Sequence, residues 1–510
     1  MTSDAAVPAS ETGAATSAPP GTPTSAPPGT PTSAAAGTAT SWTAPTTTGT
    51  ATGTTDPPAI LEELASALPA GTLVTDPDVV AGYRCDRSGS PDPGWPVAVV
   101  RAASTGEVQA TLRWASRHRV PVVPRGAGTS LAGGSMAVDG GVVLSTERMR
   151  AVAVDAAAGV AVCEPGALNA EVKAAAAACG LWYPPDPSSF EICSIGGNVA
   201  TNAGGACCVK YGVTTDYVLG LQVVLADGRA LRLGGRTVKD VAGYDLKRLF
   251  VGSEGTLGVV TEVTLRLRPA PPPAVTVVAT FPSVGAAGRA VSAIAAATRP
   301  AALELMDATA VRAVEQQLRM GLDTGCGALL VGRADAGGDR GRADAAAMAA
   351  CCEDGGATEV LATDDPDEGE QFMAARRMAI PAVERLGTVL IEDVGVPLPA
   401  VADLVEGVAG VAAAHGTTIA TIGHAGDGNF HPLVVFDRRD PDATARAERA
   451  FGAVMDLALA LGGTITGEHG VGTLKRPWLA SQLGDDVLDL QRRIKALFDP
   501  LGILNPGKGI

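Results

Sequence analysis

Aromatic side chains are scarce, at 4 % of 510 residues. Ala, Val and Leu must therefore carry the packing of a chain that is 46 % hydrophobic, and its length allows two or three domains with real cores. Positive charge is also in deficit: 39 Lys and Arg face 54 Asp and Glu, a formal net charge of −15. A field of that sign repels nucleic acid and anionic membrane, which excludes both as expected partners. It also repels anionic substrates at long range, so a carboxylate substrate would need local Arg, Lys or metal. Apolar windows are short and broken by Gly or charge, and no transmembrane helix is expected. No basic region followed by an apolar run opens the chain, so no signal peptide is expected either. The nine cysteines are odd in number and scattered, with adjacent pairs at Cys207–Cys208 and Cys351–Cys352 and no CxxC. That spacing argues against a disulfide framework or an iron–sulfur cluster in this chain, and for reduced thiols in a cytoplasmic protein.

Residues 1–57 are a different material. The octapeptide SAPPGTPT occurs in tandem at 17–24 and 25–32 and is followed by Thr, Ala and Gly. Such a stretch cannot bury enough apolar surface to offset its ordering entropy, and is expected to be a disordered tail. From Ile60–Leu68, a helix-like run, order begins. Apolar strands are expected at Val97–Arg101, Val120–Pro124, Gly141–Leu144, Ala161–Glu164, Leu219–Leu225 and Gly258–Leu267, with a helix over Thr105–His118. The Pro/Ala run Pro269–Ala274 marks a boundary. The second unit is expected to have strands at Val275–Phe281, Ala302–Met306, Ala328–Val331, Val389–Val394 and Thr418–Ile422. Helices are expected at Val401–His415 and, near the end, Asp486–Phe498.

What the chain has in excess is glycine in ordered clusters. The segment from Pro124 to Gly134 (PRGAGTSLAGG) follows a strand, and its backbone amides can approach a diphosphate closely because Gly has no Cβ. It is not the Rossmann fingerprint, since the spacing and the following helix are wrong. A second cluster runs from Pro184 to Ser189 (PPDPSS) and on through Ser194–Gly205 (SIGGNVATNAGG). Two small-residue loops rich in amide and hydroxyl groups suit one extended anionic cofactor. A third signal is Lys239–Leu246 (KDVAGYDL), followed by Gly252–Thr261.

Histidine numbers five, and three fall in two short motifs, Gly423–His431 (GHAGDGNFH) and Gly467–Gly472 (GEHGVG). The first reads strand, tight turn, strand, which can bring His424 and His431 together across a hairpin mouth. Two imidazoles and a carboxylate make an open divalent-metal site, with Glu468 as the natural third ligand. His469 is then free to act as acid or base. The structural alternative is that His424 and His431 are hydrogen-bonded core histidines.

From about Pro58 to the C-terminus these motifs resemble the vanillyl-alcohol oxidase/p-cresol methylhydroxylase superfamily. The likeness is greatest to FAD-linked glycolate oxidase subunits and to D-lactate and D-2-hydroxyglutarate dehydrogenases. The resemblance implies an α+β protein: a two-subdomain FAD-binding domain of the p-cresol methylhydroxylase type over 58–270, and a ferredoxin-like α/β substrate domain over 271–510. It implies that Arg125, Gly126, Ala127, Gly128, Thr129 and Ser130 hold the FAD diphosphate. Pro185 and Ser189 would also bind the cofactor, Gly196, Gly197, Asn198 and Thr201 would line the flavin, and Glu254, Gly258 and Val260 would sit near the adenine–ribose end. Asn505, in the closing LNPGK, would reach the flavin edge. Relatives with a ring-linked flavin often carry His where Thr129 stands, so FAD is expected to be noncovalent. In the family the residues matching His424, His431 and Glu468 bind a divalent metal (Zn, or Mn/Fe), and the one matching His469 is the base. Arg376, in a W-x-x-R-like segment that here reads MAARR, is the expected carboxylate clamp. Ile380 and Ile391 stand where dicarboxylate-oxidising relatives look polar, which favours a short or apolar substrate.

The expected activity is FAD-dependent oxidation of a small D-2-hydroxy acid. One rival within the fold is a metal-independent sugar or aldonolactone oxidase. Another is an FAD subunit that needs an iron–sulfur or other electron-transfer partner, through which a cytoplasmic protein would reach the inner face of a membrane.

Overall fold

The computed structural model describes residues 57–90 and 92–510. The tail expected over 1–57 lies outside the described residues except for Pro57, which opens the first helix, Pro57–Ala67.

The fold class is α+β. The first sheet orders Leu73–Val74, Ala98–Arg101, Val142–Ser145 and Val122–Arg125, and the last three strands are parallel. Helix Thr105–His118 makes the crossover between two of them. Its start is set by a reciprocal cap: Ser104 Oγ accepts from Glu107 N, and the Glu107 carboxylate accepts from Ala103 N. Val108, Leu112 and Ala115 on one face are fully buried, each fully buried Val or Leu contributing about 1.5–3 kcal/mol. Arg119, at φ 54°, ends the helix in the left-handed region. The second sheet is antiparallel, in the order Val152–Asp155, Val160–Cys163, Val259–Arg266, Val218–Val224, Ala230–Gly234.

After Pro269 the chain builds one larger antiparallel sheet, in the order Glu359–Thr363, Val275–Phe281, Ala328–Ala334, Ala302–Asp307, Thr418–His424, Asn429–Phe436, Thr388–Ile391. Alternation at period two splits its side chains. Val277, Ala279 and Phe281 pack with helices Val284–Ala297, Gly338–Asp354, Val401–His415 and Pro441–Ala460. Val278 and Met306 pack on the other face with helices Ala308–Leu318, Pro366–Arg377 and Ala379–Glu384. Leu398–His415 has the length and apolarity of a membrane span, but Val401, Leu404 and Val405 within it are buried against this sheet.

The strand expected over Val389–Val394 is two, Thr388–Ile391 and Val394–Gly395. The break falls at Glu392 and Asp393, whose side chains are fully buried. At the far end, helix Asp485–Phe498 sets Phe498 edge-on to Phe250 with centroids 5.2 Å apart. The chain then returns to the first sheet, with Val122 N donating to Ile503 O and Asn505 N to Val122 O, both at 2.8 Å.

Candidate active site

A cavity of about 560 Å³ runs from the first glycine-rich loop to the histidine motifs. Residues 125–130, Ser189, Gly196, Gly197, Asn198, Thr201, Glu254, Gly258 and Val260 line it, as do His431, Glu468 and His469. The glycines are required by close approach. A Cβ on Gly126 would lie 2.2 Å from Ser194 Oγ, and one on Gly196 would lie 2.6 Å from Pro165 Cβ. Ser194 Oγ accepts from Ala127 N at 3.2 Å and caps helix Ile195–Thr201 by accepting from Gly197 N at 3.3 Å. One hydroxyl therefore ties the two small-residue loops together. Arg125 is the cation of this wall, and burial pushes its guanidinium below the usual range. Asn198 Nδ2 is buried with no hydrogen-bond partner, an orphan donor of the kind a cofactor's acceptor atoms satisfy. Glycine cradle, buried cation and orphan amide together fit an extended anionic cofactor.

The histidine hairpin is as expected from its spacing. Strands Thr418–His424 and Asn429–Phe436 pair with Ile422 opposite His431 and His424 opposite Asn429. The two imidazoles are diagonal neighbours on one face, with centroids 5.2 Å apart. Glu468 Oε1 lies 3.2 Å from His424 Nε2 and 3.4 Å from His431 Nε2. The ligand atoms of these three residues fall within 4.8 Å of one another, and Glu468 Oε2 is buried without a partner. Burial alone would lower the His424 pKa, but the carboxylates of Glu304 and Glu468 hold it well above the usual imidazole value. Burial would raise that of Glu468, but His424 and His431 hold it low. Both shifts favour a charged imidazole beside a charged carboxylate.

Two acids behind the site escaped the sequence reading. Glu304, 1 % exposed, accepts from His424 Nδ1 at 2.8 Å and lies 3.0 Å from Arg376 Nε. That contact leaves His424 Nε2 directed at Glu468. Asp393 Oδ2 accepts from Thr466 Oγ1 (2.7 Å) and from the backbone N–H of Gly467, Glu468 and His469 (2.9, 3.0 and 2.8 Å). Its Oδ1 is 3.6 Å from His431 Nδ1. One buried carboxylate therefore shapes the loop carrying both Glu468 and His469. His469 stacks on His431 at 4.7 Å and 10°, and its Nε2 is 3.9 Å from Glu468 Oε1. Burial pushes the His469 pKa down to about 4, against the opposing pull of Asp393. It is neutral at pH 7 and able to accept a proton.

Four of the expected residues lie outside the cavity lining. Asn505 does not line the cavity: its Nδ2 donates to Gly134 O at 2.9 Å and Glu254 O at 2.6 Å, bracing the loop from behind. Pro185 is buried beneath the wall, its carbonyl accepting from Asn169, and Pro187 and Ser188 line the cavity in its place. Arg376 is buried against Glu304 rather than open to the cavity, whose lining cation on that helix is Arg377. Of the two isoleucines, Ile380 lines the cavity, whereas Ile391 is packed in the core behind it. Glu254 does line the cavity, but its carboxylate is spent on Val471 N and Gly472 N, each at 2.8 Å. It clamps the loop after His469 to the glycine-rich half. The motif Lys239–Leu246 is an exposed loop outside the cavity.

A cradle for an extended anionic cofactor, closed at one end by imidazoles and a carboxylate, fits a cofactor-dependent enzyme. Residues 96–234 match the family description "FAD binding domain", and residues 270–509 match "FAD linked oxidases, C-terminal domain". The chain belongs to the FAD-linked oxidase family and binds FAD. It is 42 % identical over 442 residues to "Glycolate oxidase subunit GlcD" of Bacillus subtilis (strain 168), covering 86 % of this chain and 92 % of that one. It is 37 % identical over 415 residues to the "D-lactate dehydrogenase" of Archaeoglobus fulgidus, covering 80 % and 90 %. Among solved structures, p-cresol methylhydroxylase with substrate bound shares the fold at a TM-score of 0.76 and 16 % identity, covering 88 % of this chain and 96 % of that one.

Proposed function

We propose that the chain oxidises a small D-2-hydroxy acid of the glycolate or D-lactate kind to the 2-oxo acid, using noncovalent FAD and one divalent metal. The observation that carries this reading is the convergence of His424, His431 and Glu468, with His469 beside them, at one end of the flavin cavity. FAD supplies the two-electron acceptor for the hydride leaving C2. A divalent cation held by His424 Nε2, His431 Nε2 and Glu468 would supply Lewis acidity that lowers the hydroxyl pKa. His469 takes the hydroxyl proton at Nε2. Asp393 holds the loop that carries His469, and Glu304, accepting from His424 Nδ1, fixes that imidazole's tautomer. Arg377 lines the cavity wall while ion-paired with Glu370, so it would meet a substrate carboxylate only in competition with that acid, and Ile380 favours a short apolar C3 group over a second carboxylate. A metal-independent sugar oxidase would have no use for this cluster.

Some of the relatives are named as a subunit of glycolate oxidase, which supports a partner chain. Nine free cysteines suit a reducing, cytoplasmic compartment. Substitution tests the roles. His424→Ala and Glu468→Gln should lose metal and turnover while keeping FAD. His469→Ala should keep metal and FAD yet reduce flavin at least a hundredfold more slowly, the scale of general base catalysis. Flavin reduction at the wild-type rate in His469→Ala would exclude it as the base.

A further inference from the structure

A second cavity, of about 490 Å³, borders the same histidine site and the end of the second glycine-rich cluster at Gly204 and Gly205. Its floor is His424 and Glu468, and its walls include Asn429, Val213 and Pro397. Glu468 borders both cavities. The two linings differ in charge. Arg87, Arg125 and Arg377 face the first cavity beside Glu191, Glu254 and Glu468, whereas the second holds the carboxylates of Asp427 and Glu468 with no Lys or Arg. Asp427 is exposed, in the turn between the hairpin strands.

Glycine keeps this passage open to the triad. A Cβ on Gly204 would sit 2.6 Å from Glu468 Oε2, and one on Gly467 would sit 2.4 Å from Asn429 Oδ1. Both oxygens are buried and have no hydrogen-bond partner. Orphan oxygens along a passage whose charged side chains, apart from His424 at its floor, are carboxylates suit a cation. His424 borders this second cavity and not the first.

We infer that the second cavity is the access route for the divalent cation, which loads and exchanges with FAD in place. Asp427 gathers the hydrated ion at the mouth, and Asn429 Oδ1 and Glu468 Oε2 replace its water on the way in. This rests on the proposed metal role of His424, His431 and Glu468.

The test follows zinc in the FAD-loaded protein, measured by elemental analysis after timed exposure to a chelator, with FAD occupancy tracked by absorbance. Val213→Trp and Pro397→Trp narrow the mouth from two elements, so a folding failure in one leaves the other. Each should slow zinc exchange tenfold or more without changing the rate of anaerobic flavin reduction in metal-loaded protein. Asp427→Asn should slow zinc association severalfold at low ionic strength and little at high. Unchanged exchange in both Trp variants, with zinc leaving wild type only after FAD is stripped, overturns the route while leaving the metal role standing. Absence of zinc binding in FAD-loaded wild type overturns the metal role itself, and the route with it.

Discussion

Glu304→Gln is the most discriminating single substitution. The wild-type carboxylate is 1 % exposed and lies between His424 Nδ1 at 2.8 Å and Arg376 Nε at 3.0 Å. Glutamine keeps the shape and one acceptor but removes the charge. Outer-shell partners of metal-bound histidine are worth about 10–100-fold in metal affinity, or about 1.4–2.8 kcal/mol. Zinc affinity should fall by that factor while FAD remains bound. Stability should fall as well, because Arg376 is left buried without its counter-charge, and breaking such a pair costs about 3–5 kcal/mol. The double variant Glu304→Gln/Arg376→Gln should be less destabilised than the sum of the single substitutions, with a coupling of about 0.5–3 kcal/mol. Zinc titration of the FAD-loaded variants and denaturant unfolding read the two effects separately. Wild-type zinc affinity in Glu304→Gln would refute the orienting role. Additivity in the double variant would refute the pairing with Arg376.

Further outcomes follow from the same geometry. Acid precipitation should leave the yellow colour in the supernatant, since Thr129 cannot form the ring link that His forms; colour retained in the pellet would show a covalent flavin. Gly126→Val should fold but lose FAD affinity by tenfold or more, because even its Cβ would meet Ser194 Oγ at 2.2 Å; unchanged FAD retention on desalting would contradict the cradle. D-lactate or glycolate should reduce the flavin at least tenfold faster than D-2-hydroxyglutarate, at about 1–3 kcal/mol for an unpaired polar group, and the reverse order would overturn the short-substrate reading. Because the folded His424 pKa is raised, its contribution to the stability of the metal-free protein is fully present below about pH 6.5. That contribution is lost as pH rises through the raised value. Thermal melts of metal-free protein from pH 6 to 9 should fall accordingly, more in wild type than in His424→Gln.

Much of this was legible because glycine and histidine are informative where they cluster. Gly126 and Gly196 stand where no side chain fits, and His424 and His431 are separated by a turn that folds back on itself. Glu304 and Asp393 were not legible as site residues, because each acts from a segment distant in sequence. Both left a physical trace all the same. Glu304 interrupts the apolar run AALELM, and Glu392–Asp393 interrupt another, VLIEDVGV; an acid in a buried strand needs a partner. Reading Val389–Val394 as one strand missed the break that turns Asp393 toward the His469 loop. Arg376 was misplaced for a related reason: a spacing locates a guanidinium on a helix but not the carboxylate that neutralises it. Asn505 was likewise placed near the right loop, yet its amide braces the backbone from behind.

The most direct test of the account is anaerobic mixing of the FAD-loaded protein with D- and L-2-hydroxy acids, following the flavin absorbance before and after zinc is removed and restored. The account predicts rapid bleaching by D-lactate or glycolate in the zinc-loaded protein, loss of that bleaching when zinc is removed, and its return when zinc is restored. No bleaching by any 2-hydroxy acid, or bleaching at the full rate with no metal detectable, would contradict it.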